Sequence, residues 1–134
     1  MTGDRGQALV LAAVMLGVAA VAVVGLRSAS DRILAQARTQ RAGEAAVAAA
    51  GAAVADLARA RVARLGHELS RREVAALVAE PAVIEAARSA AVTLARAHGE
   101  ADPSGVQILA FDLEIEVHVT LGGRTHVALL ASEP

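Results

Sequence analysis

The spacing of apolar and polar residues changes character three times along the chain. Between Arg5 and Arg27 there is no charge at all: Gly6 to Leu26 reads GQALVLAAVMLGVAAVAVVGL, 21 apolar, small or uncharged residues. A membrane-spanning helix needs about 20 such residues, so the run predicts a transmembrane helix over 7–26. In water it would need protein cover on every side, and the rest of the chain has few large apolar groups to supply it. Two plainer readings stand beside this one. A cleaved secretory signal has an apolar region of about 7–15 residues, and Ser28-Ala29-Ser30 offers a small-residue cleavage site. A buried helix of a soluble fold is the other. Ala13, Gly17, Val21, Gly25 and Ala29 fall on one i+4 ridge. Small residues on a ridge let a second helix approach closely in lipid, although alanine is abundant throughout this chain.

From Arg27 to Leu65 only isolated glycines oppose a helix, and AGEAAVAAAGAAVADLARARVARL favours one strongly. Unbroken from Gln7 to Leu65, such a helix is about 88 Å long. Val47, Val54, Leu57 and Leu65 give it a narrow apolar stripe suited to close helix contacts. Leu65-Gly66-His67 predicts its end, and Ser70-Arg71-Arg72-Glu73 a capping box opening the next helix. Val74, Leu77 and Val78 then share a face, and Pro81 forces a kink or restart. Val83, Ile84, Ala87, Ala91 and Leu94 form the following stripe, with His98 and Gly99 as its stop.

After the turn signal Asp102-Pro103-Ser104-Gly105 the period becomes two. Phe111, Leu113, Ile115, Val117 and Val119 alternate with Asp112, Glu114, Glu116, His118 and Thr120, which predicts a half-buried strand. Residues 106–109 begin the same strand or add a short one, with an irregularity near Ala110. Gly122-Gly123 is a hairpin signal. A two-residue loop pairs Leu121 with Arg124 and Val119 with His126. A three-residue loop pairs Leu121 with Thr125, Val119 with Val127 and Val117 with Leu129, putting both apolar sets on one face, and is the expected register. A lone hairpin is marginal in water, so it is expected to pack on the helix of residues 82–98 or on a partner. The expected fold class is α+β: a long N-terminal transmembrane helix, an Ala-rich helical region, then a C-terminal antiparallel β-hairpin or small sheet.

Composition sharpens this picture. Hydrophobic residues make up 55% of the chain but aromatics only 1%, the single Phe111, so any core is built of Ala, Val and Leu. Residues 1–99 hold twelve arginines and eight acids, net +4, whereas residues 100–134 are net −5. All basic residues are Arg, which suggests a GC-rich bacterial genome. There is no Cys, so disulfides, thiolate catalysis and Cys-ligated zinc are excluded. In the expected register His118 and His126 share the polar face near Glu116, a pattern able to bind a metal but far more often merely solvated. Asp112, Glu114 and Glu116 line one strand face, and no facing carboxylate is expected across a cleft. Nucleophile motifs and phosphate-binding glycine loops are lacking, and the arginines are not interleaved with aromatics. The expectation is a noncatalytic protein with no cofactor, no metal site, no nucleic-acid partner and no small-molecule substrate. Arg27, Arg32, Arg38 and Arg41 are placed to meet anionic headgroups.

Asp4-Arg5-Gly6-Gln7 running directly into ALVLAAVML, followed by the Gln- and Ala-rich segment from Gln36 through Gln40 and Glu44 to Ala50, resembles the start of TadE/TadG-like proteins. These are pseudopilin-like accessory proteins of the bacterial tight-adherence (Flp-type) pilus machinery. The resemblance covers roughly residues 4–55. It implies a short cytoplasmic leader at 1–6, a single-pass anchor at 7–26 in the bacterial inner membrane, and an extracytoplasmic remainder. That remainder divides into an Ala/Arg-rich helical region, 27–99, and an acidic β-hairpin tail, 100–134. It also raises leader processing between Gly6 and Gln7. The fifth position after that cut is Leu11, where pilins usually have Glu, which favours a retained leader, as in TadG-like members. The arginine distribution, counted by the positive-inside rule, favours the opposite orientation.

The resemblance implies a noncatalytic subunit that assembles or anchors a pilus or related secretion apparatus. Its partners would be the lipid bilayer and other pilus or secretion proteins, packed against Ala13, Gly17, Val21 and Gly25. The alternative is a membrane-tethered or secreted regulator or adaptor whose tail binds a protein.

Overall fold

The computed structural model describes the backbone of residues 3–130 and the side chains of residues 12–130. The elements, in order, are helices α1 (Gly3–Leu65), α2 (Arg71–Val78) and α3 (Pro81–Ala97), then strands β1 (Gly105–Phe111), β2 (Glu114–Leu121) and β3 (Arg124–Leu130). The chain divides into two compact units, Met1–Ala37 and Arg38–Pro134. The first unit, where described, is helix alone, and every described side chain in it is exposed.

The second unit has two layers. One is a three-stranded antiparallel sheet in the order β1-β2-β3. The other is the C-terminal half of α1 with α2 and α3. Helix α3 runs back beside α1: Thr39 on α1 donates to Glu100 just beyond α3 at 3.0 Å, and Arg61 pairs with Glu80 just before it. The core joins Ala46, Val47, Ala50 and Val54 of α1 to Val74 and Leu77 of α2, Val83, Ala87 and Ala91 of α3, and Val106, Ile115, Val117 and Val119 of the sheet. Ala42, Ala95 and Leu121 close its other end. Of the stripe expected on α1, Val47 and Val54 are buried, whereas Leu57 and Leu65 are 36% and 41% exposed. On α3 the buried ridge is Val83, Ala87, Ala91 and Ala95, with Ile84 and Leu94 half-buried at its sides. Methyl-sized side chains at every fourth residue let the layers approach closely.

The helix ends follow from local chemistry. Gly66, at φ 74°, ends α1 and donates its N–H to the Val62 carbonyl. Ser70 and Glu73 form the expected capping box: the Ser70 N–H donates to Glu73 at 2.8 Å, and the Ser70 hydroxyl accepts from the Glu73 N–H. That hydroxyl and N–H also hold the Glu73 carboxyl below its ordinary value, helped by the charge of His67. Pro81 restarts the chain as the first residue of α3, where its missing N–H is no loss. Gly99, at φ 76°, closes α3: its N–H bonds Arg96, and the Glu100 N–H bonds Ala95. Just beyond, Arg96 forks onto Asp102 through two 2.7 Å bonds, which lower the Asp102 pKa and raise that of Arg96.

Two expectations about the tail are corrected. The alternation from Phe111 to Val119 is not one strand. β1 pairs antiparallel with β2, Phe111 opposite Glu114, across a two-residue turn at Asp112 and Leu113. Asp112 adopts φ 62°, a conformation Asp tolerates better than most residues, and its carboxylate pairs with Arg71 of α2. The second hairpin takes the two-residue loop, not the three-residue one. Leu121 pairs with Arg124, Val119 with His126, and Val117 with Ala128. Gly122 and Gly123 both have positive φ, 57° and 75°, as a type I′ turn requires, and that turn matches the twist of the flanking strands.

Candidate functional site

The register decides what each face of the sheet presents. The inner face carries Val106, Ile108 and Ala110 of β1, Ile115, Val117, Val119 and Leu121 of β2, and His126, Ala128 and Leu130 of β3. The outer face carries Leu109 and Phe111 along one edge, Val127 and Leu129 along the other, and Glu114, Glu116, His118 and Thr120 between them. Those four apolar side chains are 38%, 55%, 53% and 56% exposed. An acidic central strand thus runs between two apolar rims. Leu113, in the turn between β1 and β2, is 41% exposed.

The histidine pair expected on the polar face does not exist. His118 is on the outer face, 2.9 Å from Glu116 on the same strand. His126 points inward and is 8% exposed. Its ring lies against Gly43 of α1, so close that a Cβ at Gly43 would stand 2.1 Å from Nε2. That nitrogen has no hydrogen-bond partner among the described residues. Among the described residues no group of three or more His, Asp or Glu is arranged to hold a metal ion. The aligned acidic triplet is also corrected: Asp112 sits in the turn, leaving Glu114 and Glu116 on the strand face.

At the far end of the second unit, Ala55, Ala58, Arg59 and Val62 of α1, with Leu69, Val74, Leu113, Ile115 and Leu130, line an open groove of about 820 Å³. Its walls are chiefly aliphatic. Arg59 and Glu68 are the charged residues of its lining, and Arg59 is paired with Asp56 at 2.5 Å.

In the first unit the apolar run continues as helix. The described segment from Ala12 onward has a mean hydropathy of 2.0 over its most apolar stretch, and none of that stretch is buried. By length and composition it is able to cross a membrane; a signal sequence or a soluble core helix meets the same test. Ala13, Gly17, Val21 and Gly25 are all exposed, and a Cβ at Gly17 or Gly25 would meet nothing within 4 Å. Gly6, Gln7 and Leu11, the residues of the expected processing site, lie in the helix backbone, and their side chains fall outside the described ones. The sequence did not single out the paired apolar rims of the sheet, because they depend on the register. Their signal was present in the exposed alternatives of β3, where Val127 and Leu129 alternate with His126 and Ala128. Comparison of the chain with protein-family models, curated proteins and solved structures gives no match.

Proposed function

We propose that the chain is a single-pass membrane protein and a noncatalytic, TadE/TadG-like subunit in the assembly or anchoring of a tight-adherence pilus or related secretion apparatus. The observation that carries the anchor is the uncovered apolar stretch of α1. None of it is buried by the chain's own residues, so a lipid bilayer or another protein must take it out of water. The same helix continues into the second unit, whose helices and sheet follow in the helix-then-strand order the resemblance implies. The Ala-rich end of the segment that carries the resemblance, with Ala46, Val47 and Ala50, lies in the core of the second unit. On this reading Ala13, Gly17, Val21 and Gly25 are the face on which another anchor helix packs, and the second unit is extracytoplasmic.

A second reading, a membrane-tethered protein-binding regulator facing the cytoplasm, is favoured by the arginines that follow the apolar run: Arg27, Arg32, Arg38 and Arg41 on that flank against Arg5 on the other. One experiment separates them. The chain lacks cysteine, so a Ser132→Cys variant, altered outside the described residues, carries a single thiol. Intact cells are treated with a membrane-impermeant maleimide. Labelling of membrane-fraction protein, together with loss of surface pili on gene deletion, is the expected result. Labelling only after lysis, with pili unaltered by the deletion, sinks the pilus reading and leaves the regulator.

A further inference from the structure

We propose that copies of this chain join edge to edge, β3 of one copy pairing in parallel with β1 of the next, so that their sheets run on as one. The hairpin registers fix which backbone groups are available for this. Both hairpins have two-residue turns, closed by the pairs Phe111–Glu114 and Leu121–Arg124. The closing pair of such a turn is hydrogen-bonded, and bonded and non-bonded pairs then alternate along the ladder. Counted from the two turns, alternate residues of β2 bond to β1 and to β3, and no bulge interrupts either ladder. The N–H and C=O groups of Val106, Ile108 and Ala110 on β1, and of Thr125, Val127 and Leu129 on β3, therefore point away from β2. No further strand lies beyond either edge among the described residues. Edge strands are ordinarily guarded by charge, proline or a bulge. Here β1 (GVQILAF) carries no charge and β3 only Arg124 at its start, while the acids Glu114 and Glu116 stand on the central strand.

A second copy is the occupant because each copy carries both halves of the junction in matching phase. Side-by-side residues of parallel strands share a face, and the outward bonds of one go to the residues flanking its neighbour. On β3 the outward-bonding residues have outer-face side chains; on β1 they have inner-face side chains. Setting Val127 beside Gln107 and Leu129 beside Leu109 of the next copy therefore aligns faces and bonding groups together, with about five main-chain bonds. Leu129 and Leu109, 56% and 38% exposed, then cover each other on the outer face, and the half-buried Leu130 and Ala110 do so on the inner face. The acidic rows stay a full sheet width apart, roughly 14 Å.

Direction excludes the competing junctions. β1 with β1, or β3 with β3, would pair antiparallel about a two-fold axis. Within the second unit β3 runs the same way as α1, since Gly122 lies at Thr39, His126 at Gly43 and Leu130 at Gly51. A two-fold junction thus points the α1 segments of the two units in opposite directions. Copies held in one bilayer through the residues before Arg38 oppose that reversal; in this respect the inference rests on the anchor proposed above. The parallel junction keeps every copy in one orientation. It is heterologous, leaves one β1 and one β3 open at the ends, and so extends beyond two copies. Strand addition draws its affinity from the main-chain ladder, and confinement to a membrane raises the effective concentration.

The test again uses the absence of cysteine. Leu109→Cys and Leu129→Cys chains with different tags are co-expressed, and the membrane fraction is oxidised with copper phenanthroline. Residues paired across neighbouring strands stand about 5 Å apart at Cα, a separation a disulfide spans. The expected result is a linked pair carrying both tags, with a ladder above the dimer when one chain carries both substitutions. Val127→Pro removes an outward N–H and leaves the bonds of β3 to β2 in place. It should cut the mixed yield about five-fold or more, and circular dichroism checks that the variant folds. An unchanged yield from folded Val127→Pro chain would overturn the strand junction. Linked dimers of Leu109→Cys alone or Leu129→Cys alone, in place of the mixed pair, would overturn it in favour of a two-fold junction. No mixed pair from folded, membrane-fraction protein would overturn it outright. If the chain is instead found in the soluble fraction, the anchor reading fails, and the same oxidations on concentrated purified chain decide between the parallel and two-fold junctions independently.

Discussion

Replacement of Gly43 by alanine tests the tightest contact in the second unit. In an exposed or well-fitted helix interior, Gly→Ala gains about 1 kcal/mol from backbone propensity. Gly51, eight residues further along α1, is the internal standard. A Cβ there would meet Leu130 Cδ2 at 3.5 Å and Ala128 Cβ at 3.6 Å, ordinary van der Waals distances. Gly51→Ala should therefore stabilise by about 1 kcal/mol. At Gly43 the new methyl would stand 2.1 Å from His126 Nε2 and 2.4 and 2.5 Å from the adjoining ring carbons. The ring is buried between sheet and helix and must move. Overpacking of this kind costs about 1–3 kcal/mol, which outweighs the propensity gain. The two alanine variants should differ by about 1–3 kcal/mol, which for a unit of this size is roughly 4–8 °C in Tm for each kcal/mol. The assay is thermal unfolding of the full chain in detergent micelles by far-ultraviolet circular dichroism. The variants are repeated with His126→Ala, where the clash is absent and Gly43→Ala should become stabilising. If Gly43→Ala is as stable as Gly51→Ala with His126 intact, the close seating of the ring on the helix is refuted.

Three further outcomes follow from the turns and caps. Gly123→Asn should be tolerated, because φ 75° suits Asn and nothing lies within 4 Å of its Cβ, whereas Gly122→Asn should lower Tm because its Cβ would meet Thr39 Cγ2 at 2.7 Å; equal melting of the two would contradict the packing of the turn on α1. Ser70→Ala removes the cap of α2 and should cost about 1 kcal/mol in chemical denaturation, with no loss if the box is a by-product of packing. The lowered pKa values of Glu73 and Asp102 mean that both carboxylates contribute stability above their ordinary values of 4.5 and 3.8, and that the contribution fades as pH falls through the lowered values. Unfolding measured from about pH 6 down to about pH 3 should show this acid-side loss, and Asp102→Asn should remove part of it by leaving Arg96 without its carboxylate.

How far the sequence carried depends on how local the signal is. The helix boundaries were legible because Gly66, Ser70, Glu73, Pro81 and Gly99 each act within one turn of chain, and each sits where its chemistry requires. The first hairpin was not legible. Its turn holds neither Gly, Pro nor Asn, and Leu113 continues the apolar alternation straight through the reversal, so Phe111 and Ile115 read as neighbours on one face while they lie on opposite faces. The second hairpin failed for a different reason. Choosing the register by apolar count favours Val127 and Leu129 inside, but the inner position opposite Gly43 takes a flat ring, and the positions near Gly51 take Ala128 and Leu130. Two glycines on α1, which carried no signal in the linear pattern, shape the surface that selects β3's inner face. The outer surface of the sheet is the remainder of that choice, so its apolar rims were equally hidden.

The alanine ridges have a consequence for how this protein tolerates change. Ala42, Ala46 and Ala50 on α1 and Ala87, Ala91 and Ala95 on α3 are all fully buried. In most cores truncation is the dangerous mutation, because a Leu or Phe cut back to Ala leaves a void. Here those six positions have almost nothing to truncate, and the hazard lies in growth: each added methylene must push two backbones apart. Substitution at these sites is thus expected to be tolerated only for Gly, Ala and Ser. A saturation library of the second unit would show this as an inverted size tolerance, with volume gained, not volume lost, as the variable that orders the defects.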